Sequence, residues 1–340
     1  MSTHHDLYAI GNALVDSEYD VSDELLAQAG VEKRHMTLID GARRAELLHH
    51  LKDHEHRRTG GGSAGNTVVA MAQFGGTSFY SCRVADDELG AFYTHDLVTH
   101  GVATNLSHTQ APQGQTGSCL VMVTPDAERS MSTFLGATAD LDATCLHPND
   151  IAKSRVYYME GYLAASPTGL DAALKGRAMA RQAGVALAST LSDVSMIRFC
   201  RAGLEAMLGQ ADDGFLDYLF CNEEEAQVWC DSLDLKQICE QLRAQAKVVC
   251  ITRAAHGCLV LSEGQTLEVS AAQVKALDTN GAGDMFAGAF LYGVTQGHSL
   301  SQSAWLANHS AARVVAQYGN RLSNDVVNDI KQQFAQHLLQ

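Results

Sequence analysis

Asp284 ends the segment Asp278-Thr-Asn-Gly-Ala-Gly-Asp284, and an apolar run dotted with small residues, Met285-Phe-Ala-Gly-Ala-Phe-Leu291, follows at once. The pattern predicts a tight glycine loop opening into a helix. Backbone N–H groups at such an end point outward, where the helix dipole already places about half a positive charge. Gly281 and Gly283 allow close approach of a phosphoryl group and dihedrals that other residues avoid. The loop is therefore a candidate anion site, with Asp284 beside it in the first helical turn. A carboxylate held against a bound phosphate is electrostatically unfavourable unless it has a task. The task available is to accept a proton from an attacking hydroxyl while a γ-phosphoryl group transfers. A plainer reading stands beside this one: Asp284 complements the dipole and the glycines turn the chain. The chain contains no G-x-x-x-x-G-K-[ST], which excludes a Walker-type loop, and no glycine lies three residues after Gly283, as a dinucleotide fingerprint would require.

A second cluster, Gly60-Gly-Gly-Ser-Ala-Gly-Asn66, leads into the helical run Thr67 to Phe74. Backbone N–H groups beside the Asn66 amide suit a polyhydroxylated ligand; alone, such a cluster also reads as a hinge. Asp16, after Ile10-Gly-Asn-Ala-Leu-Val, offers a carboxylate to a vicinal diol or serves as a turn residue. The cluster also matches G-x-G-x-x-G and, as Gly61-Gly-Ser-Ala-Gly65, the nucleophile-elbow pattern G-x-S-x-G. Both need a strand feeding the turn, and the charged stretch from His54 to Arg58 gives no sign of one, so both readings are set aside.

These loops need a scaffold. Short apolar runs at 7–10, 118–123, 155–159, 185–188, 218–221, 248–251 and 258–261 read as strands, and 67–74, 169–183, 223–230 and 235–246 have helical spacing or composition. Strands alternating with helices predict an α/β fold with a mostly parallel sheet covered on both faces. Two stretches, 15–40 and 112–136, show shorter alternations, as an antiparallel flap over a cleft would. The expectation is a single domain over residues 1–340, with these two segments forming a small β lid, and an amphipathic closing helix from 324 to 339.

Composition agrees with small-molecule chemistry. The 340 residues are 46% hydrophobic and 19% charged, values of a globular chain, and the net charge of −15 argues against a nucleic-acid partner. Nine dispersed cysteines without a C-x-x-C read as buried small hydrophobes. No apolar run approaches the roughly 18 residues of a membrane span, and the first residues lack an export signal, so no membrane association and a cytoplasmic location are expected.

Together, Gly61 to Asn66 and Asp278 to Asp284 resemble the two signatures of the ribokinase-like (PfkB-type) carbohydrate and nucleoside kinases, in the right order and at the right separation. Val84-Ala-Asp-Asp-Glu-Leu-Gly90 resembles a third element of that family, with Ala85 for its first glycine. Asn222-Glu-Glu-Glu225 resembles its N-x-x-E motif, and Thr252 to Gly257 its nucleotide-side T-x-G-x-x-G, with Ala254 for the middle glycine.

The resemblance implies a Rossmann-like sheet with a β lid and ATP as phosphoryl donor. It makes Asp284 the base, and the amides of Gly281, Ala282 and Gly283 the anion hole for charge on the γ-phosphate. Asn222 and Glu225 would hold Mg²⁺ through water; on sequence the same pair also reads as a helix capping box. Thr252, Arg253 and Gly257 would lie along ATP, and Asn308 with His309 near the adenine. A monovalent cation such as K⁺ would take carbonyls near Asp278 and Gln317–Asn320.

The strings Gly11-Asn-Ala-Leu-Val-Asp16, Gln115-Thr-Gly-Ser-Cys119, Gly161-Tyr-Leu-Ala-Ala-Ser-Pro167 and the Asn280 form of the catalytic loop resemble the family's adenosine kinases. They imply a nucleoside acceptor, adenosine first, with Asn12, Asp16, Gly62, Ser63 and Asn66 on the ribose hydroxyls. A sugar kinase of ribokinase or fructokinase type, or a non-catalytic nucleoside- or sugar-binding regulator of the same fold, are the alternatives. Tyr19, Phe134 and Tyr162 are candidates for packing on the base, though ordinary packing accounts for each. Arg129 is expected as a solvated surface arginine within reach of the phosphates on closure. Either a monomer or a lid-mediated homodimer is compatible. His49, His50, His54 and His56 sit in a charged, helical-looking stretch that reads as a solvated helix face.

Overall fold

The computed structural model describes residues 5–54, 56–126, 128–209 and 215–339. Its strands are β1 (His5–Ile10), β2 (Leu14–Asp20), β3 (Met36–Leu38), β4 (His56–Gly61), β5 (Ser78–Ser81), β6 (Ala103–Thr104) and β7 (Ser118–Val123). They continue with β8 (Arg129–Phe134), β9 (Ser154–Met159), β10 (Ala186–Thr190), β11 (Leu216–Asn222), β12 (Ala246–Thr252), β13 (Cys258–Ser262) and β14 (Gln265–Val269).

Period-two alternation along β1 separates two apolar layers: Leu7 and Ala9 enter one core, Tyr8 and Ile10 the other. Helices Ser63–Gln73, Ala282–Thr295, Leu300–Val315 and Asn324–His337 cover the first face, and Pro167–Gln182, Arg201–Leu208 and Glu223–Cys230 the second. With both faces covered, the strands between them can be apolar throughout, which is why the short runs were legible as strands. The sheet order is β14-β13-β12-β11-β10-β9-β1-β5-β6, parallel from β12 to β6, with β13 antiparallel to β12 and β14 to β13. The chain runs outward from β1 through β5 to β6, then returns to the other side of β1 as β9. The strand order therefore reverses between β1 and β9, and the crevice at their carboxyl ends is where open α/β sheets bind ligands.

A second sheet, β3-β8-β7-β2-β4, differs from the expected antiparallel flap. β2 pairs parallel with β7, β3 pairs parallel with β8, and only β2–β4 and β7–β8 are antiparallel. Segment 15–40 also contains the helix Asp23–Gln28, capped by Ser22. The sheet draws on a third segment as well. β4, His-Arg-Arg-Thr-Gly-Gly, has no apolar residue, yet it pairs along β2 as an edge strand whose charges face outward, Arg57 meeting Glu18 and Arg58 meeting Glu88. The helical stretch expected to reach His56 instead stops at Leu51; His54 Nδ1 lies 3.1 Å from the Asp20 carbonyl, and His56 stacks on Tyr19. Among the described residues, no group of three or more His, Cys, Asp or Glu could hold a metal ion.

One face of this sheet packs Tyr19, Leu120 and Met122 against Leu26, Leu47 and Leu51. The other carries Asp16, Glu18, Cys119, Val121 and Arg129, by register of β2 and β8 with β7. Tyr19 is thus core of the small sheet. Phe134, paired with Ser118, shares the Tyr19 face, beneath the Arg44 guanidinium, and lines a cavity of about 470 Å³ with Leu38, Arg83, Gln113 and Asp140. That cavity includes neither Asp284 nor any residue of the two glycine clusters.

Candidate active site

Gly281 caps the helix Ala282–Thr295 with φ +75, the left-handed region a glycine occupies without strain. Asp284 is then the third helical residue. Gly288, one turn on, lets this helix close against Ser63–Gln73: a Cβ there would stand 2.5 Å from the Thr67 carbonyl and 2.6 Å from the Ala70 Cβ. The close approach brings the two glycine clusters together across more than two hundred residues of chain. Ser63 Oγ donates to Asp284 Oδ1 at 2.6 Å, and Asn66 Nδ2 donates to Oδ2 at 2.9 Å. Burial pushes the Asp284 carboxyl up to about 6, opposed by those two hydrogen bonds and by the charge of Arg321. Asp284 as a residue is partly buried, and the neighbouring Gly283 faces open space, with nothing within 4 Å of where a Cβ would be. Of the amides expected in the anion hole, that of Ala282 bonds the Thr279 carbonyl at 3.3 Å, and Gly281 lies under the Asn320 Cβ.

The strand feeding the first cluster, not apparent in the sequence, is β4. Its presence removes the ground on which two readings were set aside, but the structure supplies better ones. β4 belongs to the small sheet, outside any strand–helix–strand unit of the large one, and the Ser63 hydroxyl bonds a carboxylate, not an imidazole. Gly62, at φ +86, lies so close to the Asn12 carbonyl that no side chain fits. Asn12 follows β1 at the switch point, with its Oδ1 3.3 Å from Thr138 Oγ1. Asp16 packs against Gly61, where a Cβ would meet its carboxylate at 2.5 Å. Burial raises Asp16 to about 7, against the lowering charges of Arg321 and Arg129. Asn12, Asp16, Gly62, Ser63, Asn66 and Asp284 thus share one crevice.

Two residues of this crevice were not singled out from sequence. Glu160, 0% exposed at the end of β9, accepts the Asn12 N–H at 2.7 Å and the Ala64 N–H at 2.8 Å, and burial raises it to about 7. A lone acid after the apolar run Val-Tyr-Tyr-Met159 was the available signal, since an unpaired carboxylate there would be costly. Arg321 lies near the chain end with no motif around it.

The other predicted residues line the same edge of the sheet, further from Asp284. Asn222 and Thr252 end β11 and β12 in register. Asn222 and Glu225 form a capping box, and both Glu225 oxygens accept from Asn222, with Glu225 raised to about 7 by burial. Arg253 is held between Glu223 and Glu268. Gly257 has φ +84, and Ala254 takes φ +48, in the left-handed region that a glycine occupies without strain. Asn308 is 5% exposed, and its amide donates to the Val269 carbonyl at 2.8 Å, so it anchors the end of β14 instead of facing open space. His309 stacks on Trp305 at 3.6 Å, within a Trp305–His337 stack.

Arg129 departs from the solvated arginine expected. Its side chain is 14% exposed and bridges Glu18 at 2.7 Å and Asp278 at 3.1 Å, linking the small sheet to the glycine loop. Asp278 also accepts the Asn280 and Gly319 N–H groups, so the loop implied for a monovalent cation already carries a guanidinium. Tyr162 is half-buried after β9, its hydroxyl raised by burial and then by Asp193 and Asp284. Asp87 caps the helix Glu88–Thr99 and binds Thr116, joining the third motif to the start of β7.

Comparison with known proteins gives a consistent picture. A family model described as pfkB family carbohydrate kinase matches residues 36–326. The chain superposes on a probable sugar kinase from Rhizobium etli CFN 42 with a TM-score of 0.87, at 32% identity over 98% of this chain and 99% of that one. It superposes on an adenosine kinase from Sinorhizobium meliloti with a TM-score of 0.86, at 33% identity over 97% and 100%. An adenosine kinase from Schizophyllum commune is 26% identical over 92% of this chain and 94% of its own.

Proposed function

The chain belongs to the pfkB carbohydrate kinase family, a phosphotransferase acting on an alcohol group of a nucleoside or sugar, and on that premise we propose that it phosphorylates the 5′-hydroxyl of adenosine with ATP. The observation that carries the reading is the Ser63–Asp284–Asn66 constellation beside the open glycine loop. Asn12, Asp16, Gly62, Ser63 and Asn66 hold the ribose, Asp16 across its two hydroxyls, while Tyr162 packs near the base. The small sheet closes over the acceptor as a lid. Asp284 takes the 5′-hydroxyl proton as the oxygen attacks the γ-phosphorus and the bond to the β,γ-bridging oxygen breaks, releasing ADP. The open end of the helix, with the Gly283 amide, receives the developing charge. Thr252, Arg253 and Gly257 run along the nucleotide, and Asn308 supports that wall from behind. The family implies ATP and usually Mg²⁺; with both Glu225 oxygens and the Asn222 amide already bonded to each other, this pair would hold a divalent ion through its water shell and not by direct ligation. Such an ion would supply charge neutralisation for the phosphates.

The full-length likeness to adenosine kinases supports adenosine, and the equal likeness to a probable sugar kinase makes the acceptor the point to test. ADP release measured with adenosine, inosine, guanosine, ribose and fructose tests the acceptor; turnover with a free sugar and none with nucleosides overturns it. Asp284→Asn tests the base: turnover should fall by about 10²–10⁴ with ATP binding retained. Because the base must be ionised, wild-type kcat/KM should fall as the pH drops through about 6. Unchanged turnover in the variant would remove Asp284 from the chemistry and favour the binding-regulator alternative.

A further inference from the structure

The crevice gathers carboxylates from several elements. Asp16 comes from β2, Glu160 from the end of β9 and Asp284 from the helix Ala282–Thr295, and Glu225 and the phenols of Tyr158 and Tyr162 are raised in part by the charge of Asp284. The charge of Arg321 lowers both Asp16 and Asp284; that of Arg129, itself paired with Glu18 and Asp278, also lowers Asp16. The Arg321 side chain is 12% exposed. One terminal nitrogen donates to the Gly60 carbonyl at 2.9 Å and to Asp96 Oδ2 at 3.1 Å; its Nε and other terminal nitrogen are buried without a partner among the described residues. Gly60 has no room for a side chain because this guanidinium and Asp96 occupy the space, and Asp16 fills the corresponding space at Gly61. Guanidinium and carboxylate therefore flank consecutive glycines at the start of the acceptor loop. The backbone leading to Arg321, from Gln317, is itself tied to the catalytic loop: the Gly319 N–H binds Asp278, Asn320 covers Gly281, and Gln317 Nε2 holds the Arg321 carbonyl at 2.7 Å.

We propose that Arg321 is a positioning residue for phosphoryl transfer, pinning the start of the glycine loop through Gly60 and supplying the counter-charge for the Asp16 and Asp284 carboxylates. A half-satisfied buried guanidinium is unfavourable unless its field is used. Here it opposes the burial that otherwise favours a protonated, inactive base. The assignment rests on the kinase reading for its consequence in catalysis, but its electrostatic content does not.

The test compares wild type with Arg321→Gln and Arg321→Lys, reading two signals. One is the carboxyl titration of Asp284 by NMR in the ligand-free protein, assigned with Asp284→Asn. The other is the pH dependence of kcat/KM with adenosine. Removing the opposing charge should raise the midpoint and the acid limb together, by about half a pH unit. Such a shift lowers kcat/KM about twofold at pH 6 and hardly at all at pH 8.5. Arg321→Lys, which keeps the charge, should restore most of the wild-type position. A uniform loss at every pH with an unmoved carboxyl titration would mean a structural role only and overturns the proposal. If Arg321→Gln does not fold, Asp96→Asn carries the test: with a competing carboxylate gone, the Asp284 midpoint should fall, and an unmoved midpoint refutes the idea. If wild type phosphorylates none of the acceptors, the kinase reading fails while the titration still decides the electrostatic claim.

Discussion

Glu160→Gln separates what stabilises this protein from what makes its crevice work. The wild-type carboxylate is fully buried and accepts one backbone N–H from each of two segments, Asn12 after β1 and Ala64 at the start of the helix Ser63–Gln73. Burial raises its folded pKa to about 7 from an ordinary 4.5. Between those values the native state binds more protons than the unfolded chain, so stability falls as pH rises through the window. At 1.36 kcal/mol per unit, the loss is about 3 kcal/mol by pH 8. At pH 5 the protonated carboxyl has one donor and one acceptor oxygen, the same inventory as glutamine. Glu160→Gln should therefore match wild type near pH 5 and be more stable by about 3 kcal/mol at pH 8. Its crevice should be worse. Glutamine can accept from only one of the two N–H groups and turns a donor toward the other, which costs about 1–3 kcal/mol of positioning, so the acceptor KM should rise by about tenfold or more. Urea unfolding at both pH values, followed by tryptophan fluorescence, with acceptor kinetics at pH 8, measures all three quantities. A variant less stable than wild type by the same amount at pH 5 and pH 8 would refute the reasoning.

Ala254→Gly should relieve the left-handed strain at φ +48, about 1 kcal/mol or more before the entropy of glycine is subtracted, and raise the midpoint of thermal unfolding by a few degrees at most. Gly288→Ala forces a methyl group against the Thr67 carbonyl and Ala70; unfolding free energy should drop by about 1–3 kcal/mol, and turnover should fall further than stability explains because Asp284 moves relative to Ser63 and Asn66. Arg129→Met leaves Glu18 and the nearly buried Asp278 without their shared cation, and denaturant unfolding should show a loss of about 3–5 kcal/mol, part of which returns in Arg129→Met with Asp278→Asn.

The sequence alone carried the class of fold and the two loops of the site. Apolar runs covered on both faces are strands whatever their partners, so β1, β7, β9, β11, β12 and β13 could be read locally. Glycines before small-residue helices mark backbone that a ligand must approach, which made Gly60–Asn66 and Asp278–Asp284 visible without a structure. β4 was hidden because its strand character comes from pairing with β2 and not from its own side chains, which are those of a solvated segment. The parallel pairing of β2 with β7 was hidden for the same reason: alternation fixes which face a residue takes but not the direction of its neighbour.

Charge could be counted in the sequence but not located. Arg129 looked like any surface arginine until the fold put it between Glu18 and Asp278, and Arg321 and Glu160 drew no attention at all. A side chain's type is a property of its codon. Its proton affinity and its partners depend on the dielectric and the charges within a few ångströms, and those neighbours arrive from β2, β9 and the chain end only when the tertiary structure closes.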